Sequence, residues 1–234
     1  MMKIEIWSDF ACPFCYIGKT RFEQALEKFE HKKDVEVIYK AYQLNPYAPK
    51  TMEGTAYEAF AKGHNMTVSQ AKDRFKMFEQ NAKSVGLTYN YDIIQMTNTF
   101  DAHRLAKYAN TKGLEEKLTS RLMKAYFTDG KNLSDINTLV ELAKAVGLDE
   151  TESRKILEEN TYADEVNAQI TEARQVGVQG VPFFVINRKY GVSGAQQTEY
   201  FYQALKQIWL EDNPVKTLGG QDDDASCGDE GCSF

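Results

Sequence analysis

Strand-forming runs fall only near the two ends of this 234-residue chain, and the long stretch between them carries helical spacing. Near the start, Ile4-Glu5-Ile6-Trp7 and Val35-Glu36-Val37-Ile38-Tyr39 are rich in β-branched and aromatic residues. Between these runs, residues 13–30 place Phe14, Ile17, Phe22, Ala25, Leu26 and Phe29 at mostly helical spacing. Near the end, Val181-Pro182-Phe183-Phe184-Val185-Ile186 reads as a buried strand, Asn187-Arg188-Lys189 as a turn, and Tyr190-Gly191-Val192 as its short partner. Residues 196–210 are helical again, with Tyr200, Phe201, Ala204, Leu205 and Ile208 on one face. The order is β-α-β, then ~130 residues of helix, then β-β-α.

The middle is punctuated as a series of helices. Asn45-Pro46 and Ala48-Pro49 break residues 41–52. Thr67 with Gln70 forms a capping-box pattern, and Gly86 closes that helix. Asn98 with Asp101 opens the next, which ends near Gly113; Leu114 to Asp129 runs on to Gly130. Ser134 and Gly147 bracket another, Asp149 caps the one after, and Thr161 with Asp164 starts a long helix ended by Gly177. The expected fold class is α/β: a thioredoxin fold interrupted by a large all-helical insertion. Residues 1–45 and 177–211 make the discontinuous thioredoxin-like domain, 46–176 the insertion, and 212–234 a flexible acidic tail.

Composition narrows the function classes. Hydrophobic residues are 42% and charged residues 26%, ordinary for a globular protein. A net charge of −6 argues against nucleic acid or an anionic membrane surface as partner. No apolar run reaches the ~18 residues of a membrane span. Met1-Met2-Lys3 leads straight into a strand bearing Glu5 and Asp9, where a targeting segment needs an apolar core. The expected location is therefore the cytoplasm. Structural disulfides are rare there, so four cysteines in two close pairs point to redox catalysis or metal.

The first pair, Cys12-Pro13-Phe14-Cys15, lies where the first strand gives way to the first helix. The leading N–H groups of a helix lack internal partners and carry partial positive charge, which stabilises a thiolate over a thiol. Pro13 suits the first helical turn because its missing N–H is not needed there. A Cys-x-x-Cys by itself also suits a zinc knuckle. Position and the Gly180-Val181-Pro182 before a late strand favour a dithiol that closes and reopens.

Ser8-Asp9-Phe10-Ala11-Cys12-Pro13-Phe14-Cys15-Tyr16-Ile17-Gly18, the helical insertion and Gly177-Val178-x-Gly180-Val181-Pro182-x-Phe184 together resemble the DsbA-like oxidoreductases. The match is closer to the FrnE-type branch, related to the 2-hydroxychromene-2-carboxylate isomerases. Asn98-Thr99-Phe100-Asp101-Ala102-His103-Arg104 also looks like that branch, as does Cys227-x4-Cys232 in the tail. The resemblance implies a cis Pro182 beside the dithiol, with Val181 and Pro182 docking an extended substrate. It implies Cys12 as the more exposed, attacking thiol and Cys15 as the deeper, resolving one. Phe14, beside the dithiol, stands where secreted relatives often carry His, which removes a cationic neighbour of the thiolate. No metal and no prosthetic cofactor are implied, and glutathione is a candidate thiol partner. The implied partners are a disulfide-containing protein or a small thiol or disulfide, and the implied activity is disulfide reduction or isomerisation. The second reading is a glutathione-dependent isomerase or transferase acting on a small aromatic molecule.

Other residues keep two or more readings. Cys227 and Cys232 are a secondary redox pair relaying electrons to the dithiol, a passive pair, or a soft-metal site. His103 faces the dithiol, binding substrate and aiding proton transfer, or is a hydrogen-bonded helix histidine. Asn98 reads as a helix cap. Tyr16 and Trp7 wall a groove or pack, and Tyr89, Tyr91, Phe75 and Phe78 pack the insertion.

Overall fold

The computed structural model describes residues 1–214. Strand β1 (Met2–Ser8), helix α1 (Pro13–Lys28) and strand β2 (Val35–Ala41) come first. Seven helices follow among the described residues: α2 (Ala56–Gly63), α3 (Val68–Lys83), α4 (Phe100–Thr111), α5 (Glu115–Phe127), α6 (Ile136–Ala145), α7 (Glu150–Glu158) and α8 (Ala163–Gln175). Strands β3 (Phe183–Ile186) and β4 (Tyr190–Ser193) and helix α9 (Thr198–Asp212) complete the order. The fold is the interrupted thioredoxin fold that the distribution of strand signals implies.

The sheet runs β2-β1-β3-β4. β1 and β2 are parallel, with Met2 opposite Val35 and Ser8 opposite Ala41. β3 returns antiparallel to β1, setting Phe184 beside Ile6 and Phe183 beside Trp7. The chain ends thus meet at β1, and the dithiol turn that leaves β1 is carried next to the start of β3.

Both sheet faces are covered. Ile4 and Ile6 pack with Phe22, Ala25 and Phe29 of α1 and Phe201, Leu205 and Ile208 of α9. Trp7 and Val185 pack on the other side with Ala173 of α8 and Val178. Glu5 therefore marks no solvent face and is only 2% exposed. Its carboxylate pairs with Lys40 at 3.3 Å and with Arg188, and both cations also reach Glu172 of α8. Pairing is what makes a buried charge tolerable here.

Helix punctuation holds at some ends and shifts at others. The Thr67–Gln70 capping box forms, and Asp149 accepts from the Glu152 N–H. Helix α4 starts two residues past Asn98, at Phe100, with Thr99 in the cap position; Asn98 Oδ1 accepts from the Phe100 N–H at 2.8 Å. Asp135, not Ser134, caps α6, because the Ser134 hydroxyl is spent on the Asn98 carbonyl at 2.6 Å. Helix α8 begins after Tyr162, which has φ 66°, and not at Thr161.

The insertion has its own core, with Leu105, Leu118, Leu122, Phe127 and Leu139 among its fully buried side chains, and that cluster takes in Phe10, Cys12, Cys15 and Ile17. The dithiol sits at the seam between the helices and the sheet. Within the insertion, Arg104 ties α4 to α7 and the turn that follows it. Its buried guanidinium donates to the carbonyls of Ile156, Leu157 and Thr161 at 2.7, 2.8 and 3.1 Å, and pairs with Asp101 at 2.8 Å. Arg104→Met strands these acceptors, so urea unfolding is expected to show a loss of about 2–4 kcal/mol with an unchanged denaturant slope. A loss below about 1 kcal/mol, within the range of an ordinary hydrogen bond, would deny Arg104 this role.

Candidate active site

The turn after β1 is built by its own backbone. The Cys12 N–H donates to the Asp9 carbonyl at 3.1 Å, and the Cys15 N–H to the Cys12 carbonyl at 3.1 Å. Cys12 occupies the cap position of α1 with extended backbone (φ −89°, ψ 115°), and Pro13 is the first helical residue. The Cys12 thiol donates to the Val181 carbonyl at 3.6 Å. The Val181–Pro182 peptide is cis. One turn along α1, Gly18 passes Pro182 so closely that a Cβ there would lie 2.8 Å from Pro182 Cγ and 3.3 Å from Ala195 Cα. Arg21 donates to the Ala195 carbonyl at 2.7 Å, fixing α1 against the same loop.

The insertion grips the turn from the other side. The Tyr89 hydroxyl donates to the Pro13 carbonyl at 2.7 Å, and Tyr16 stacks on Tyr89 at 6.1 Å between ring centroids. Phe14 stands 38% exposed, its ring edge-on to Phe78 at 5.4 Å. Phe75 and Tyr91 stack at 3.9 Å, so these aromatics do pack the insertion, while Tyr89 also touches the dithiol turn. Burial, before any neighbouring charge, pushes the Tyr89 and Tyr91 phenols up, so both remain protonated; Tyr89 donates to Pro13, while the Tyr91 hydroxyl finds no partner among the described residues. Trp7 walls no groove; it is wholly buried and donates to the Gln169 carbonyl at 3.0 Å.

Asp9 anchors the third side. Its carboxylate accepts from the Leu44 N–H at 2.8 Å, the Thr99 hydroxyl at 2.8 Å and the Ala11 N–H at 3.3 Å. His103 Nε2 lies 3.7 Å from the same carboxylate, and the ring packs on Phe10 at 4.6 Å between centroids. His103 is only 4% exposed, so it is packed inside against Asp9 and Phe10 and leaves little surface for an outside substrate. Asn98 does more than start a helix: it accepts from Gln43 at 3.1 Å and donates to the Pro46 carbonyl at 2.9 Å, tying the loop after β2 to α4. Asp9, Thr99 and Ser8 are the site residues that spacing does not single out.

The two thiols are less different in exposure than the resemblance implies. Cys12 is 3% exposed and Cys15 1%. The Val181 carbonyl and the aromatic wall of the insertion cover Cys12 as well. Both cysteines are free thiols. Burial, then its hydrogen bond and charge interaction with Cys12, pushes the Cys15 thiol well up; the Ser8 side chain and the Asp9 N–H, which donates to Cys15 Sγ at 3.5 Å, oppose this. Cys227 and Cys232 lie outside the described residues. Among the described residues, no three His, Cys, Asp or Glu side chains gather as a metal site, and no helix is long and apolar enough to cross a membrane.

A dithiol at a helix start, facing the carbonyl before a cis proline inside this fold, is matched by a known family model. The DSBA-like thioredoxin domain covers residues 3–206. The chain belongs to that family. It is similar to a probable DsbA oxidoreductase of Streptomyces coelicolor, solved as a crystal structure, at 41% identity and a TM-score of 0.86, over 100% of this chain and 99% of the other. It is 28% identical over 207 residues to the uncharacterised protein YwbO of Bacillus subtilis (strain 168), covering 86% of this chain and 94% of that one. It also shares its fold with a 2-hydroxychromene-2-carboxylate isomerase, at 16% identity and a TM-score of 0.66, over 90% of this chain and 97% of the other.

Linkage gives a pH test of the buried thiol. A thiol whose folded pKa is raised adds stability below the unfolded value, and that stability is lost as pH rises past it. Reduced protein is therefore expected to lose stability above pH 9.0, the ordinary thiol value, more steeply than Cys15→Ala. Denaturant titrations at several pH values check this; parallel curves would contradict it.

Proposed function

We propose that this DsbA-like protein is a thiol–disulfide oxidoreductase of the protein disulfide reductase or isomerase type, working in the cytoplasm through Cys12 and Cys15. The observation that carries the reading is the Cys12 thiol at the start of α1, against the Val181 carbonyl, with Cys15 one turn behind. An extended substrate adds to Val181 by main-chain hydrogen bonding beside Pro182, and the exposed Phe14 ring offers an apolar contact. An incoming N–H that takes the Val181 carbonyl displaces the Cys12 thiol from it, which couples docking to release of the nucleophile.

The exchange balances without a cofactor. The Cys12 thiolate attacks one sulfur of the substrate disulfide; a Cys12–substrate disulfide forms and the other substrate sulfur leaves as thiolate. Cys15 loses its proton and attacks Cys12 Sγ, closing the Cys12–Cys15 disulfide and releasing the second substrate thiolate. The substrate gains two electrons, the dithiol loses two, and both leaving thiolates take up protons. A small thiol such as glutathione reopens the enzyme disulfide by the reverse chemistry. Phe14 in place of a cationic neighbour supports reduction or isomerisation over net oxidation.

The fold shared with an isomerase is what favours the second reading, glutathione-dependent isomerisation or transfer on a small aromatic. Cys15, for which that chemistry has no use, favours the first. Cys12→Ser is expected to lower reduction of insulin disulfides to the uncatalysed background. Cys15→Ser is expected to accumulate a mixed disulfide on Cys12, visible in the intact mass. Full disulfide turnover in Cys12→Ser would refute the exchange mechanism, and isomerase activity surviving in Cys15→Ser would move the assignment to the second reading.

A further inference from the structure

At the end of β1 lies a small cavity with room for about one water molecule. Ser8, His103, Lys107, Glu115 and Thr119 are among its lining residues. Of its lining atoms, two that are buried, His103 Nε2 and Thr119 Oγ1, find no hydrogen-bond partner among the described residues. Leaving a buried polar group unpaired costs about 1–3 kcal/mol. Such a cost is worth explaining beside a thiol that must give up a proton while sealed from solvent.

We propose that His103, oriented by Asp9, accepts the proton of Cys15 when Cys15 resolves the mixed disulfide. This rests on the exchange reading above. The route is short. Ser8 neighbours the Cys15 sulfur and lines the cavity that His103 also lines. The imidazolium that forms lies 3.7 Å from the Asp9 carboxylate, whose backbone N–H simultaneously holds Cys15 Sγ at 3.5 Å. One residue thus supports both products of the transfer, the thiolate and the cation. The bond broken is the Cys15 S–H, the bond made is N–H on His103, and the proton passes on to the substrate thiolate that leaves.

The other ionisable groups facing this space are committed elsewhere: Lys40 of β2 pairs with Glu5 and Glu172, and burial pushes the Tyr39 phenol well up. Lys107 of α4 and Glu115 of α5 pair with each other at 2.6 Å, and Lys107 also donates to the Tyr39 carbonyl at 2.7 Å. Burial pushes the Glu115 carboxyl up while Lys107 opposes it. The Tyr126 phenol of α5 is pushed up by burial and by the Asp9 charge, so it stays protonated. Cys12 of α1 faces outward to Val181. His103 reaches the sulfur only at one remove, through Ser8 and the cavity, and is a positioning residue in that sense.

The test uses the full-length reduced protein with Cys227→Ser and Cys232→Ser, so that only the dithiol reports. In stopped flow with 4,4′-dithiodipyridine, Cys12 releases the first thiopyridone and Cys15 the second. His103→Gln is expected to leave the first phase within about twofold and to slow the second at least about tenfold at pH 7, a modest share of the 10²–10⁴ available to general base catalysis. The second phase in His103→Gln should also rise more steeply with pH than in the parent. In the parent, the second phase should slow in D2O. A second phase unchanged in rate and pH slope by His103→Gln, or insensitive to D2O in the parent, overturns the proposal. Absence of a fast first phase in the parent overturns the exchange reading instead.

Discussion

The Asp9 carboxylate is the joint on which the site depends. Three donors converge on it from the turn before α1, the loop after β2 and the residue before α4. A charge accepting several hydrogen bonds gives stronger and more directional contacts than neutral pairs do. Those contacts bring together segments that are far apart in the chain, and they do so directly beside Cys15. Thr99 and Asp9 are separated by 90 residues. Without this joint the sheet and the helices would still have cores of their own, but at the dithiol the polar ties between them would shrink to contacts such as the Tyr89 hydroxyl on the Pro13 carbonyl.

Of the three hydrophobic clusters among the described residues, the two largest meet near the dithiol. One lies between the sheet and helices α1 and α9. The other fills the insertion and extends to Cys12 and Cys15. The dithiol therefore sits on the border, and its surroundings come from both sides: the α1 start and the Val181 carbonyl from the sheet unit, the Tyr89 hydroxyl and His103 from the insertion. The insertion is more than a cover over the sheet. It supplies the low-dielectric wall that holds Cys15 protonated and the donors that hold the turn in place.

Much of this was legible in the sequence because it is local. Strand runs, helix spacing and the Cys-Pro-Phe-Cys segment each announce themselves within a few residues, and Val181-Pro182 stands out as the lead into a late strand. What stayed hidden is joined across long distances. Asp9 looks like any acidic residue after a strand, Tyr89 like another aromatic of the insertion, and neither reveals its partner 90 or 76 residues away. Glu5 hides for a related reason: alternation along β1 marks a polar face, and only α8 arriving from far along the chain turns it into a buried ion cluster. The slips have separate causes: at Ser134 the Asn98 carbonyl takes the hydroxyl that a cap would use, while α8 starts after the left-handed Tyr162.

The approach of α1 to Pro182 at Gly18 has its own meaning for the cleft. Where side chains meet, a gap can widen or narrow as rotamers change. Here a bare backbone abuts a proline ring and the Ala195 backbone, with no space for even a methyl group. The spacing between α1 and the Val181–Pro182 loop is thus gauged by covalent geometry, like a shim machined to one thickness, and side-chain drift elsewhere in the protein leaves that dimension untouched.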